Sequence, residues 1–324
     1  MTTMTAPAPH VPVMLDRVVE LLASAPDGLV VDATLGAGGH AEAVARARIG
    51  RFGHATMLGI DRDPDALALA ADRLAAVDGL RLHTAQVRFD RMGQVLDDLG
   101  QSRIAGILLD LGISSMHVDR PERGFSYRQD GPLDMRMGPD AQRTASDIVN
   151  EASEGELATI LRRYADERFA ARIARAIVAA RPIDRTIVLA EVVRDAVPAA
   201  TRRTGGHPAT RTFQALRIAV NGELEALERV LPDAMERLVP GGIAVALAYH
   251  SLEDRIVKRA FADAAIGCNC PPDLPVCACG RVPLVTSVVR RPERPSDAEV
   301  DRNPRASAAR LRAVRREPTP PERP

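Results

Sequence analysis

The run Gly28-Leu-Val-Val-Asp-Ala33 and the turn Gly36-Ala-Gly-Gly-His40 that follows it decide the fold. A short apolar stretch passes into a glycine-rich turn, and Ala41 to Ala47 then reads as a helix. Glycines between a buried strand and a helix permit a tight turn and close approach of a ligand to the backbone. The helix start adds N–H groups that have no intrahelical acceptor. The spacing Gly36-x-Gly38-x-x-Ala41 fits the dinucleotide fingerprint, so alone it points to an adenosine-bearing ligand and to no particular one.

Outward from the turn, strands and helices alternate. Thr56 to Ile60 reads as a second strand, Pro64 to Ala75 as a helix, Leu80 to Thr84 as a third strand and Ile104 to Leu109 as a fourth. Continuous apolar strands separated by amphipathic helices imply a parallel sheet covered on both faces. Asp61 ends the second strand about 20 residues past the turn, where an acid accepts both ribose hydroxyls of an adenosine. Asp63-Pro64 already supplies a helix N-cap and an N1 proline, which leaves Asp61 for a ligand. Asp32 before the glycines, Asp110 after strand four, and the turn Leu238-Val-Pro-Gly-Gly242 incline the choice from NAD toward S-adenosylmethionine (AdoMet). An NAD-dependent oxidoreductase is the competing reading.

The alternation stops in the middle of the chain. Arg120 to Met137 is polar, carries Gly and Pro, and reads as a structured loop. Ser153 and Glu156 have capping-box spacing, and helical periodicity then runs through Ile160, Tyr164, Phe169, Ile173 and Ile177 until Pro182. Ile187 to Val197 is a further helix. The expected fold is therefore α/β, a class I (Rossmann-like) AdoMet methyltransferase with a mostly parallel sheet plus an inserted helical domain. Residues 1–137 and 214–324 form the discontinuous main domain, and 138–213 the insert. After it come a helix from Phe213 to Leu231, another to Leu238, and a fifth strand, Ile243 to Tyr249. Ser251 and Asp254 then open a helix through Phe261, and Val282 to Val289 supplies the final strands. Arg315 to Pro324 is proline-rich and charged, and reads as disordered.

No apolar run is long enough to span a bilayer, and residues 1–12 lack the features of a secretory signal, so the expected compartment is the cytoplasm. Formal net charge is zero, and of 43 basic residues only Lys258 is a lysine. Arginine offers a planar donor fork and a stacking face, which permits RNA binding without establishing it. Cys268, Cys270, Cys277 and Cys279 cluster as two Cys-x-Cys pairs. The cluster suits either a four-thiolate zinc site or reduced thiols, and no metal is assigned.

From His10-Val-Pro-Val13 onward the sequence resembles one family, the MraW (RsmH) 16S rRNA cytosine-N4 methyltransferases. The likeness rests on Asp32 to His40, Gly59-Ile-Asp-Arg-Asp-Pro64, Leu108 to Ser115, and Arg123-Gly-Phe-Ser-Tyr127. It continues through Gly131 to Met137, His207 to Arg217, His250 to Lys258 and Asn303-Pro-Arg305, nearly the whole chain. The resemblance implies AdoMet contacts at Gly38, Gly39, His40, Asp61, Phe89, Asp110 and His117. His117 stands where the family more often has glutamine, Ala248 where it has serine, and Ser307 where it has arginine. It implies a cytidine of 16S rRNA in the decoding region of the small subunit as substrate, no membrane association, and leaves a homodimer open.

The cytosine amine is a weak nucleophile because its lone pair is delocalised into the ring, so alignment and a proton acceptor are the expected devices. Asp110 and His250 are the candidate acceptors. Phe125, Tyr127 and Tyr249 are candidate stacking faces, with ordinary packing as the competing role. Arg162, Arg163, Arg168, Arg172 and Arg175 on the helices of the insert, and Arg202, Arg203 and Arg211 in its basic loop near Gly205-Gly206, are candidate RNA contacts. A non-catalytic RNA-binding assembly factor is the remaining alternative.

Overall fold

The computed structural model describes residues 12–199, 207–267 and 282–318. The chain divides into two compact units, Met1–Gly112 with Ala226–Pro324, and Ile113–Glu225. In chain order the elements are α1 (Leu15–Ser24), β1 (Leu29–Asp32), α2 (Gly39–Phe52), β2 (Ala55–Asp61), α3 (Pro64–Leu74), β3 (Leu80–Gln86), α4 (Met92–Asp98) and β4 (Ile104–Asp110). Six helices follow: α5 (Ser115–Asp119), α6 (Ala145–Glu151), α7 (Glu154–Ala165), α8 (Ala170–Ala179), α9 (Thr186–Ala196) and α10 (Ala209–Asn221). Then come α11 (Glu223–Arg237), β5 (Leu238–Ala248), α12 (Ser251–Ala265), β6 (Val285–Ser287), α13 (Asp297–Arg302) and β7 (Arg310–Arg316).

The first unit holds a seven-stranded sheet in the order β3-β2-β1-β4-β5-β7-β6. Strands β1 to β5 pair in parallel, and β7 runs antiparallel between β5 and β6. This is the class I, Rossmann-like methyltransferase sheet expected from the alternating pattern. Strands β1 and β4 are buried along nearly their whole length, as parallel strands covered on both faces must be. Successive residues serve opposite faces: Val30 and Leu108 pack with α1, α2 and α3, while Val31, Ile107 and Leu109 pack with α4, α11 and α12. Strand order reverses between β1 and β4, so the ligand crevice belongs outside their carboxyl ends.

The second unit has its own core from Leu133, Ile148, Leu157, Leu161, Ile173, Ile177, Leu189, Val193, Phe213 and Leu216. It is wider than the expected 138–213, because Phe125, Leu133, Met135 and Met137 of the preceding loop pack into that core. Ser153 and Glu156 form the expected capping box on α7.

Three expected boundaries move. The helical run after Ser153 breaks at Asp166, which takes a left-handed conformation and separates α7 from α8. The break expected near Leu231 falls instead at Gly222, whose φ of 61° ends α10, and Pro232 is accommodated inside α11. The charged tail enters the sheet: β7 reaches Arg316 because β5 and β6 flank it with antiparallel partners. Among the described residues no helix is long and apolar enough to cross a membrane.

Candidate functional site

The glycine turn is pinned to the end of β2. Leu35 N–H donates to Ile60 O (2.9 Å), and Gly36 N–H donates to Asp61 Oδ2 (2.8 Å). Asp61 Oδ1 also accepts from Asp63 N–H (2.9 Å), so both oxygens of the acid shape the turn. Gly38 is the α2 N-cap, with φ +77° and no side-chain cap, which leaves the first-turn N–H groups without an intrahelical acceptor. A Cβ on Gly39 would lie 2.6 Å from Pro12 Cγ. The turn is thus a backbone cradle that larger residues would distort.

Three carboxylates stand at the ends of neighbouring strands: Asp61 on β2, Asp32 on β1 and Asp110 on β4. Asp32 is 2% exposed, and its Oδ1 accepts from Thr34 N–H (3.2 Å). Burial pushes its carboxyl up to about 7; His40 opposes the shift, while the negative charges of Asp110 and Asp61 add to it. Asp110 is held from several sides. Its N–H donates to Thr34 Oγ1 (2.7 Å), its Oδ1 accepts from the Tyr249 hydroxyl (2.7 Å), and its Oδ2 lies 3.5 Å from His40 Nδ1. His40 Nε2 lies 3.0 Å from Val13 O in buried surroundings. Burial first, then the charge of Asp110, pushes the Tyr249 phenol well above its ordinary range, so it stays a protonated donor. An edge of this sign favours a cationic ligand and penalises a pyrophosphate.

The first unit therefore brings Gly38, Gly39, His40, Asp61 and Asp110 to one edge. Phe89 follows β3 in a short 3-10 turn, half-buried against the α4 side of the core. His117 belongs to α5 of the second unit, where its ring stacks on Phe125 at 4.9 Å. Tyr127 stacks on His207 at 4.6 Å and meets Phe213 edge-on, so both candidate stacking rings of that unit already have aromatic partners. Arg163 pairs with Glu225 and Arg175 lies near Glu154, whereas Arg162, Arg168, Arg172 and Arg211 are exposed. Arg202, Arg203 and the four cysteines lie outside the described residues.

His250 caps α12. Its Nδ1 accepts from Glu253 N–H (3.3 Å), Glu253 Oε2 accepts from the His250 and Tyr249 N–H groups, and His250 Nε2 lies 2.9 Å from Glu253 Oε1. The capping box is one residue earlier than the Ser251 and Asp254 spacing suggested, because Asp254 instead holds Arg310 and Arg312 of β7. Glu253 and Thr34 had no strong signal in the sequence; the acid three residues after His250 was the cue available for Glu253.

The sequence model of the MraW methylase family matches residues 7–317. The chain belongs to the MraW methylase family. A relative from Heliobacterium modesticaldum is 52% identical over 309 residues, covering 94% of this chain and 97% of its own. One from Acidothermus cellulolyticus is 56% identical over 311 residues, covering 94% and 93%. Both carry the name ribosomal RNA small subunit methyltransferase H. As an MraW methylase the chain uses AdoMet as its methyl donor, and the acidic edge has the sign that a sulfonium and an ammonium group need.

Proposed function

We propose that this MraW methylase transfers a methyl group from AdoMet to the exocyclic N4 of a cytidine in 16S rRNA, in the decoding region of the small subunit. The observation that carries the reading is the acidic edge of Asp32, Asp61 and Asp110 around a glycine cradle, in a chain whose relatives are named as small-subunit rRNA methyltransferases. The same edge weighs against the NAD reading, since a pyrophosphate would meet three carboxylates.

AdoMet supplies an electrophilic methyl on a sulfonium, so no protein nucleophile is required. Gly38, Gly39 and the start of α2 bind its polar end, Asp61 takes the ribose hydroxyls, and Phe89 packs on the adenine. His40 completes the proposed contacts of this unit. Asp110, oriented by Tyr249 and Thr34, accepts from the cytosine amine and keeps its lone pair aligned. His250 is the second candidate acceptor: its Nδ1 accepts from the Glu253 N–H, while its buried Nε2 lies 2.9 Å from Glu253 Oε1 without a hydrogen bond. The helical unit presents exposed Arg162, Arg168, Arg172 and Arg211 to RNA phosphates.

The test is mass spectrometry of 16S rRNA from a strain lacking the gene and from the same strain complemented. Loss and return of one N4-methylcytidine is expected. An unchanged N4-methylcytidine content in the deletion strain would refute the substrate assignment. AdoMet binding without methylation by the purified protein would favour the assembly-factor alternative.

A further inference from the structure

We infer that a pocket on the carboxyl edge of the sheet binds a backbone phosphate of the RNA, and that Arg294 is its principal cation. This rests on the reading that RNA is the substrate. The pocket has a volume of about 190 Å³ and is lined by Tyr249, His250, Ser251, Arg294, Ser307 and Arg310, with Ala308.

Topology brings this pocket to the working edge. Strand β7 is antiparallel to β5, with Ala248 opposite Arg310, so β7 begins where β5 ends. In turn Leu247 of β5 lies opposite Asp110 of β4. Two strand spacings, about 10 Å, therefore separate the Asp110 backbone from that of Arg310, a span one nucleotide can bridge. Tyr249 is shared: it lines the pocket, and its hydroxyl binds Asp110.

The lining is rich in donors. Arg294 follows Glu293, whose backbone N–H and C=O both pair with Leu311 of β7, so its main chain is anchored while its side chain is exposed. Among the described residues Arg294 has no carboxylate partner. Arg310 gives Nη1 to Asp254 Oδ2 at 3.0 Å and retains other N–H groups. Ser307 donates its hydroxyl proton to Pro304 O (2.8 Å), and Ser251 opens the fifteen-residue helix α12, whose first turn already carries Glu253 and Asp254. Planar guanidinium groups converging on a polar pocket match a phosphodiester oxygen pair. An acidic ligand without RNA, such as inorganic phosphate, shares that chemistry.

Arg294→Ala is the clean probe, because Arg310 also anchors Asp254. In the full chain, the variant is expected to weaken binding of a 16S rRNA transcript by about tenfold. It should also lower the slope of log affinity against log salt by about 0.7, the loss of one single-strand phosphate contact. KM for RNA rises, kcat and AdoMet affinity stay unchanged, and Arg294→Lys recovers most of the binding. Unchanged RNA affinity and salt slope, in a protein whose wild type methylates the transcript, would overturn this inference and leave the proposed function standing. Arg294-dependent binding of inorganic phosphate with RNA binding unaltered would likewise overturn it. A wild type that binds AdoMet and RNA but methylates no 16S cytidine would overturn the proposed function and, with it, the role given to this pocket.

Discussion

The Tyr249 hydroxyl donates to Asp110 Oδ1 at 2.7 Å, linking the ends of strands β4 and β5. Because the buried phenol is held protonated beside a carboxylate, the bond has one polarity and engages Oδ1, while Oδ2 lies 3.5 Å from His40 Nδ1. Tyr249→Phe removes the donor and keeps the ring against Gly112. Its expected cost is about 1.5–3 kcal/mol, as for a hydrogen bond to a charged group. Single-turnover methylation should fall at least about tenfold, while AdoMet affinity measured by calorimetry stays within about twofold of wild type. An unaltered rate would show that Asp110 needs no such orientation.

Asp32 gives a pH signature. Its carboxyl is pushed up to about 7 in the folded chain, so the native state holds the proton more tightly than the unfolded state does. That contribution is fully present below the unfolded value near 4 and is lost as pH rises through about 7. Asp32→Asn should therefore flatten the pH dependence of thermal stability between pH 4 and 7. Above pH 7 the variant gains at most about 4 kcal/mol, the ceiling set by a shift of about three units. Cofactor binding has the opposite sense: a cation prefers ionised Asp32, so AdoMet affinity should rise from pH 6 to 8 with release of a proton. Calorimetry in buffers of different ionisation enthalpy measures both, and Asp32→Asn should abolish them.

The parts of this site that lie close together in sequence were legible. The apolar run Leu29–Asp32, its glycine turn, and the acids ending β2 and β4 could all be found, since strand ends and turn residues are local properties. What escaped depends on distant partners. Tyr249 and Asp110 are 139 positions apart, so a strand-end tyrosine carried no sign of its hydroxyl's acceptor. Asp254 looked like a cap until Arg312, 58 positions on, claimed it. The helix break expected near Leu231 falls at Gly222, because a left-handed turn there ends α10 while Pro232 is accommodated inside α11. Membership in the helical core of the loop before residue 138 was likewise invisible, since its polar composition hides four buried side chains.

Arg48 tests the scaffold behind the cofactor edge. It reads as a polar position on α2 yet is wholly buried, donating to Leu22 O (3.0 Å), Pro26 O (2.9 Å) and Gly28 O (3.1 Å). Those carbonyls shape the entry to β1, and burial holds the guanidinium below its ordinary value. Arg48→Met leaves three acceptors without their donor, for an expected loss of roughly 3 kcal/mol. Chemical denaturation should show it as a lower midpoint with an unchanged slope. Activity per folded molecule should persist at low temperature; a folded but inactive variant would mean that Arg48 does more than support the chain.

Asp110 and His250 can be separated as amine acceptors. Asp110→Asn keeps the shape and the contact with Tyr249 but removes the basic oxygen, so single-turnover methylation should fall by about 100-fold or more. His250→Asn retains a side chain that caps α12, and its expected stability cost is under about 1 kcal/mol. If the imidazole serves the helix, this variant methylates within about threefold of wild type at every pH from 6 to 9. His250→Ala, which loses the cap, should then lose stability and not rate. The reverse pattern, a slow His250→Asn beside an active Asp110→Asn, would move the acceptor from β4 to the start of α12. Measuring AdoMet affinity for all three variants keeps a cofactor defect from being mistaken for a chemical one, because Asp110 also borders the acidic edge where the methyl donor is proposed to bind.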